Sequence, residues 1–172
     1  MPDGEGRLTL LIGGARSGKS AHAERLIAAL PPPWAYIATG QAFDDEMSER
    51  IALHQARRDE RWRTLDEPLD VAKVLSVMPD GRPLLLDCLT LWLSNTLLAE
   101  HDIDARSEEL IAALAKPHGP WFVVSNEVGL GIVPETPLGR RFRDAQGRLN
   151  QQVASIAHSV ILMVAGLPVK VK

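Results

Sequence analysis

The chain has 172 residues, 45% hydrophobic and 24% charged, with a formal net charge of −3. That length suits one domain with a proper core. The slightly acidic balance excludes a global field that would recruit nucleic acid or acidic membrane. A single cysteine, Cys88, excludes an internal disulfide framework and fits a reducing compartment. The polar start, Met1 to Arg7, carries no signal-type apolar region, and no apolar run is long enough to span a bilayer, so a cytoplasmic protein is expected.

Residues 1–6 read as a loose leader and residues 7–172 as one domain. Leu8 to Ile12 is a short apolar run of strand type. It leads into Gly13-Gly14-Ala15-Arg16-Ser17-Gly18-Lys19-Ser20, which fits the phosphate-loop pattern G-x-x-x-x-G-K-[ST] at every fixed position. Ala23, Leu26, Ile27 and Leu30 then recur at helical spacing. Strand, glycine loop and helix give the motif its physical sense. Glycines let the backbone curl until several N–H groups point at one phosphate chain. The helix N-terminus adds partial positive charge. Lys19 is expected to reach the outer phosphates and the Ser20 hydroxyl to ligate Mg2+.

Pro31-Pro32-Pro33 stops the first helix. Trp34 to Thr39 is the second strand, and the spacing predicts a helix from about Asp45 to Arg58. On that helix Glu46, Arg50, His54, Arg57 and Arg58 share about a third of the circumference. Trp62 to Leu65 reads as a short strand, Leu69 to Met78 as a helix and Pro79-Asp80-Gly81 as a turn. Pro83 to Asp87 is an apolar strand ending in one acid, and Leu89 to Leu98 a buried helix. A helix over about Ala105 to Ala115 precedes a strand, Trp121 to Ser125, and a glycine-rich loop from Asn126 to Glu135. The last helix spans about Leu138 to His158 with Phe142, Ala145, Leu149, Val153 and Ile156 as its apolar stripe. Val160 to Ala165 is the final core strand, and Leu167 to Val171 an optional edge strand. Continuously apolar strands alternating with helices imply an α/β fold, a mostly parallel sheet covered by helices on both faces.

Asp87 has the form of a Walker B acid. It reads either as a Mg2+ ligand opposite Ser20 or as an ordinary strand-terminal acid, and the phosphate loop favours the metal role. His54 reads either as a surface or packing residue or as a nucleophile. Neighbouring arginines bind phosphate oxygens in pairs and disfavour the imidazolium, which leaves a neutral imidazole able to attack an α-phosphate. Asp66 and Glu67 fit a ribose hydroxyl, a metal or a plain loop. Asn126-Glu127 ends a strand at the edge where ligands collect in such sheets. His22, His101, His118 and His158 show no metal-ligand spacing, and Cys88 reads as core.

Taken together, the phosphate loop, Tyr36-Ile37-Ala38-Thr39, Asp44-Asp45-Glu46-Met47, Arg50-Ile51 with His54, Trp62-Arg63-Thr64, Asn126 to Glu135, Arg141 to Asp144 and Gly147 to Gln151 carry a family likeness. The chain resembles the bifunctional adenosylcobinamide kinases / adenosylcobinamide-phosphate guanylyltransferases of cobalamin biosynthesis, from about Leu8 to Lys172. The resemblance implies a RecA-like P-loop NTPase fold, phosphorylation of adenosylcobinamide by ATP or GTP, and transfer of GMP from GTP to adenosylcobinamide phosphate through a GMP–histidine intermediate. The family histidine falls on His54. Its nucleotide contacts fall on Gly13 to Ser20, on Ala38, Thr39 and Gly40, on Gln55, Ala56, Arg57 and Arg58, and on Asp66 and Asp87. Relatives often carry glutamate at Asp66 and some at Asp87; the charge is kept and the reach shortened. A homotrimer is also implied. The competing readings are a small-molecule P-loop kinase without nucleotidyltransferase activity, a RecA-like motor ATPase, and a nucleotide-binding regulator.

Overall fold

The computed structural model describes residues 6–42, 45–56 and 58–172, with the backbone alone at 46, 47, 50, 53 and 54. Seven strands and six helices follow in order: β1 (Arg7–Gly13), α1 (Lys19–Ala28), β2 (Trp34–Ala38), α2 (Asp45–Ala56), β3 (Trp62–Asp66), α3 (Val71–Ser76), β4 (Leu84–Asp87), α4 (Leu89–Leu98), α5 (Ile103–Leu114), β5 (Pro120–Asn126), α6 (Pro137–Ile156), β6 (Ser159–Val164) and β7 (Leu167–Lys170). They form one sheet in the order β3-β2-β4-β5-β1-β6-β7. Every pairing is parallel except β6 with β7, so the optional edge strand exists and runs antiparallel.

The strands that read as continuously apolar lie at the centre of the sheet, buried on both faces. Leu8, Leu10, Ile37, Leu84, Leu86 and Val123 face the larger core with α3, α4, α5 and α6. Leu11, Tyr36, Leu85 and Val124 face the smaller one, where α1 contributes Ala23 and Ile27. β3 is an edge strand, and four of its five residues are exposed.

Side-chain caps move several helix boundaries from where periodicity places them. Asp102 accepts from the amides of Asp104 and Ala105, so α5 begins at Ile103 and not at Ala105. The Glu67 carboxylate accepts from the amides of Leu69 and Asp70, which holds both outside α3. α3 is therefore the short Val71–Ser76, not a helix from Leu69 to Met78. α6 ends at Ile156, because Ala157 is extended and leads into β6. α2 stops at Ala56, so Arg58 leaves the helical arc expected of it; its amide bonds Gln55 O at 3.0 Å in a tightened turn.

The parallel register brings six strand ends to one edge of the sheet. Gly13 lies beside Asn126 and Met163, Ala38 lies between Asp66 and Asp87, and Asp87 lies beside Val124. Ligand sites of open α/β sheets collect at this carboxyl edge.

Candidate active site

At the β1 end the backbone does the building. Gly13 admits no side chain: a Cβ there would stand 2.6 Å from Met163 O and 2.9 Å from Ser17 Oγ. Gly18, at φ +92°, adopts the left-handed conformation that lets α1 begin immediately after it. The loop is propped from behind by the turn joining β6 to β7. Gly166 N donates to Ser17 O at 3.0 Å, and the turn uses positive φ at both Ala165 and Gly166, as tight hairpins require. Lys19 opens α1 and is buried; its Nζ donates to Gly14 O at 2.6 Å and lies 3.5 Å from Ser17 Oγ. Burial pushes the Lys19 pKa below its usual value, while Cys88 and Asp87 pull it back upward. The ammonium thus sits within the loop on a carbonyl, a bond that phosphate oxygens can replace.

Asp87 ends β4 as expected of a Walker B acid. Its Oδ2 accepts from the Tyr36 hydroxyl at 3.1 Å. Tyr36 is buried on β2, and burial first, then Asp87, drives its pKa upward, so the hydroxyl remains a donor throughout the physiological range. The ends of β2 and β4 are further tied by Thr39, whose Oγ1 donates to Cys88 O at 2.7 Å and accepts from Cys88 N at 2.9 Å. Thr39 is fully buried with its hydroxyl engaged, so among Ala38, Thr39 and Gly40 it serves the scaffold. Cys88 is core, with its thiol pushed up to about 12 by burial.

Residues fit for Mg2+ are present at this point. Asp87 offers a carboxylate with one oxygen already oriented by Tyr36, and the half-buried Ser20 offers a hydroxyl. Among the described residues no three His, Cys, Asp or Glu side chains cluster as a metal cage. That donor set matches a cation that prefers one or two protein oxygens and completes its shell with phosphates and water.

At the β2–β3 end the site is made of side chains. The Arg58 guanidinium stacks on the Tyr36 ring, 3.8 Å from its centroid, and Trp62 packs edge-on against the same ring at 6.0 Å. Nε and Nη1 of Arg58 are buried and have no hydrogen-bond partner among the described residues. Buried donors left unmade are costly, and an anionic ligand would satisfy them. Gln55, Arg58, Asp59, Trp62, Thr64 and Asp66 line a cavity of about 280 Å³ here. Ala56 closes α2 and is exposed. Arg57 lies outside the described residues, as do the side chains of Glu46, Arg50 and His54; His54 is on the α2 backbone.

At the β5 end the sequence offers Asn126-Glu127 at the ligand edge and a glycine-rich sequel that reads as a substrate loop or a turn. The strand is held by a buried network that periodicity does not reveal. Ser125 Oγ donates to Asn150 Oδ1 at 2.6 Å, Gln146 Nε2 donates to both, and Asn150 Nδ2 donates to Asn126 O at 3.0 Å. The signal was available: Gln146 and Asn150 are four apart beside the apolar stripe of α6. Glu127 N donates to Gly13 O at 3.0 Å, which fastens this strand end to the phosphate loop. Tyr36 and Gly166 are two further neighbours of the expected site residues that no local sequence pattern singles out. A cavity of about 420 Å³ between α6 and the α4–α5 turn, lined by Arg141, Arg148 and His101 among others, contains none of the expected nucleotide residues. His158 accepts the Leu8 amide at 3.1 Å and His118 bonds Met78 O at 2.9 Å, so both serve the scaffold.

Comparison with known proteins places this geometry. The fold is similar to that of a type III secretion system ATPase from pathogenic bacteria, with a TM-score of 0.54 at 13% identity over 95% of this chain and 56% of that one. A KaiC-like protein of Pyrococcus horikoshii OT3 gives 0.51 at 15% identity, covering 92% of this chain and 72% of that one. At such identities the likeness is one of fold alone: a RecA-like P-loop NTPase sheet. Sequence goes further. The Bifunctional adenosylcobalamin biosynthesis protein CobP of Pseudomonas aeruginosa is 50% identical, over 95% of this chain and 96% of its own. The Bifunctional adenosylcobalamin biosynthesis proteins CobU of Salmonella typhimurium and Escherichia coli are each 42% identical, over 96% of this chain and 99% of theirs. The family model described as Cobinamide kinase / cobinamide phosphate guanyltransferase matches residues 9–171. The chain belongs to the cobinamide kinase / cobinamide phosphate guanyltransferase family.

Proposed function

We propose that this protein phosphorylates adenosylcobinamide and then converts adenosylcobinamide phosphate to adenosylcobinamide-GDP, with His54 as the residue that carries GMP. The observation that supports it most is the joint occurrence, on one sheet edge of a chain of this family, of a phosphate loop with a buried lysine, an oriented Walker B acid and a helix bearing His54.

In the first reaction the substrate hydroxyl oxygen attacks the γ-phosphorus of ATP or GTP. The new O–P bond forms as the bond to the β–γ bridging oxygen breaks, and the hydroxyl proton passes to solvent. Lys19 leaves Gly14 O for the phosphates and balances the charge that spreads over their oxygens. Ser20 and Asp87 are the residues that would hold Mg2+, which when bound would neutralise further phosphate charge. In the second reaction a His54 ring nitrogen attacks the α-phosphorus of GTP. A P–N bond forms, the α–β P–O bond breaks and pyrophosphate leaves. A phosphate oxygen of adenosylcobinamide phosphate then attacks the same phosphorus, breaks the P–N bond and frees His54. Arg58, with two unpaired buried donors, and Arg57 steady the nucleotide during these displacements. Asp66 bonds the ribose from the exposed edge strand. The protein is read as a homotrimer on its family likeness, which sedimentation equilibrium tests directly.

The test separates the two products by chromatography. His54→Ala should still make adenosylcobinamide phosphate and fail to make the GDP product. Lys19→Ala should lose both. A His54→Ala protein that still forms adenosylcobinamide-GDP would overturn the histidine route.

A further inference from the structure

Tyr36 is a residue to which the proposed mechanism gives no part, yet it touches both halves of the site. It is buried on β2, the strand next to edge strand β3, and its hydroxyl and ring face meet different partners. The hydroxyl donates to Asp87 Oδ2 at 3.1 Å. The ring face carries the Arg58 guanidinium at 3.8 Å, and Trp62 braces the ring edge-on at 6.0 Å, itself 5.1 Å from Trp34.

We propose that Tyr36 is a positioning residue for both transfer reactions: its hydroxyl fixes the carboxylate of Asp87 for the metal-bearing phosphates, and its ring holds the Arg58 guanidinium toward the nucleotide.

Two physical points carry this. A carboxylate with one oxygen fixed by a buried donor has lost the freedom to rotate, so the remaining oxygen is preorganised for a cation. Orientation of this kind raises metal affinity without adding a ligand. The second point concerns Arg58. Among the described residues its Nε and Nη1 are buried without a hydrogen bond, so neither of these two donors fixes the guanidinium plane. The stacking on Tyr36 fixes it, at little cost to its donors, which stay directed at an incoming anion. A core tyrosine chosen for packing alone would need neither arrangement; phenylalanine would fill the same volume.

The proposal rests on the reading of Asp87 and Arg58 as nucleotide-site residues, but its test uses binding and does not require corrinoid turnover. The probe is α,β-methylene GTP, which cannot release pyrophosphate, titrated calorimetrically into the full chain in EDTA and at increasing Mg2+. Tyr36→Phe removes the hydroxyl and keeps the ring. It should leave affinity in EDTA within about twofold of wild type and raise the half-maximal Mg2+ concentration about tenfold, the scale of one lost hydrogen bond to a ligating carboxylate. Tyr36→Leu removes the ring as well and should also lower the affinity in EDTA about tenfold, the scale of one charge-assisted contact. If Tyr36→Leu does not fold, Arg58→Ala reads the same contact and should show the EDTA defect with an unchanged Mg2+ midpoint. An unchanged Mg2+ midpoint in Tyr36→Phe would overturn the role of the hydroxyl. Full EDTA affinity in Tyr36→Leu, or in Arg58→Ala, would overturn the role of the ring. If the probe binds with these signatures while no corrinoid is turned over, the positioning role stands and the catalytic reading fails.

Discussion

Two regions on either side of Asp87 are built for phosphates by different means. On the β1 side the groups that would meet a phosphate are the loop backbone and Lys19, and they are held by contacts made in advance. Glu127 N bonds Gly13 O, Gly166 N bonds Ser17 O, and Lys19 rests on Gly14 O. On the β2–β3 side the groups are side chains on an exposed edge, and two buried donors of Arg58 have no partner among the described residues. The first region spends its folding energy on shape. The second leaves polar groups that only a ligand completes. The difference teaches where substitutions should act: changes that disturb the β1 backbone should strike structure and chemistry together, and changes to side chains that would meet the ligand, Lys19 and those of the β2–β3 end, should strike chemistry or affinity with little effect on folding.

The largest effect is expected at Lys19. Lys19→Met removes the charge that would meet the phosphates and should slow phosphoryl transfer about a thousandfold in single-turnover assays. It should not lower the melting temperature of the free protein, because burial already disfavours this ammonium. A large stability loss would mean that Lys19 is a structural contact first. Gly13→Ala comes next. Its Cβ would meet backbone oxygen of Met163 at 2.6 Å. Overpacking of that kind costs about 1–3 kcal/mol and should appear as an earlier urea midpoint together with lost nucleotide binding. Retention of both would break the claim that the β1 end is fixed by backbone packing. Arg58→Ala sharpens the contrast from the other side. Nucleotide affinity should fall about tenfold while unfolding free energy stays within about 1 kcal/mol of wild type, since the lost stacking is worth little and the removed donors are unpaired.

The smallest effect is a proton. The folded-state pKa of Lys19 lies below its ordinary value of 10.5 because of burial. Between the lowered value and 10.5 the unfolded chain binds more protons than the folded one, so this group's contribution to stability rises with pH across that window. A triphosphate in the loop favours the ammonium again, and binding there should take up a fraction of a proton. Calorimetry in buffers of different ionisation heat measures it; proton release would contradict the placement of Lys19 against the phosphates.

Much of this was legible in the sequence, for reasons that differ by element. The phosphate loop was legible because its demands are local: glycine where a Cβ would collide, lysine and serine at fixed offsets. The parallel sheet was legible because Leu8 to Ile12 and Pro83 to Leu86 are apolar without alternation, as two covered faces require. Helix ends were less so. Asp102 and Glu67 set them through side-chain bonds that outweigh periodicity, and a tightened turn takes Arg58 off its expected arc and onto Tyr36. The Tyr36–Asp87 bond and the prop of Gly166 under Ser17 join segments far apart in the chain, so no local pattern announces them. The network of Gln146, Asn150 and Ser125 escaped because buried polar residues on an amphipathic helix look like its wet side.

The measurement that tests the central claim most directly uses GTP labelled at the α-phosphate. The protein is incubated with it and Mg2+, denatured and washed. The account predicts label retained on the protein, lost in acid, stable in base as a phosphoramidate should be, and absent from His54→Ala. Label that persists in His54→Ala, or a folded GTP-binding wild type that takes up none, would contradict it.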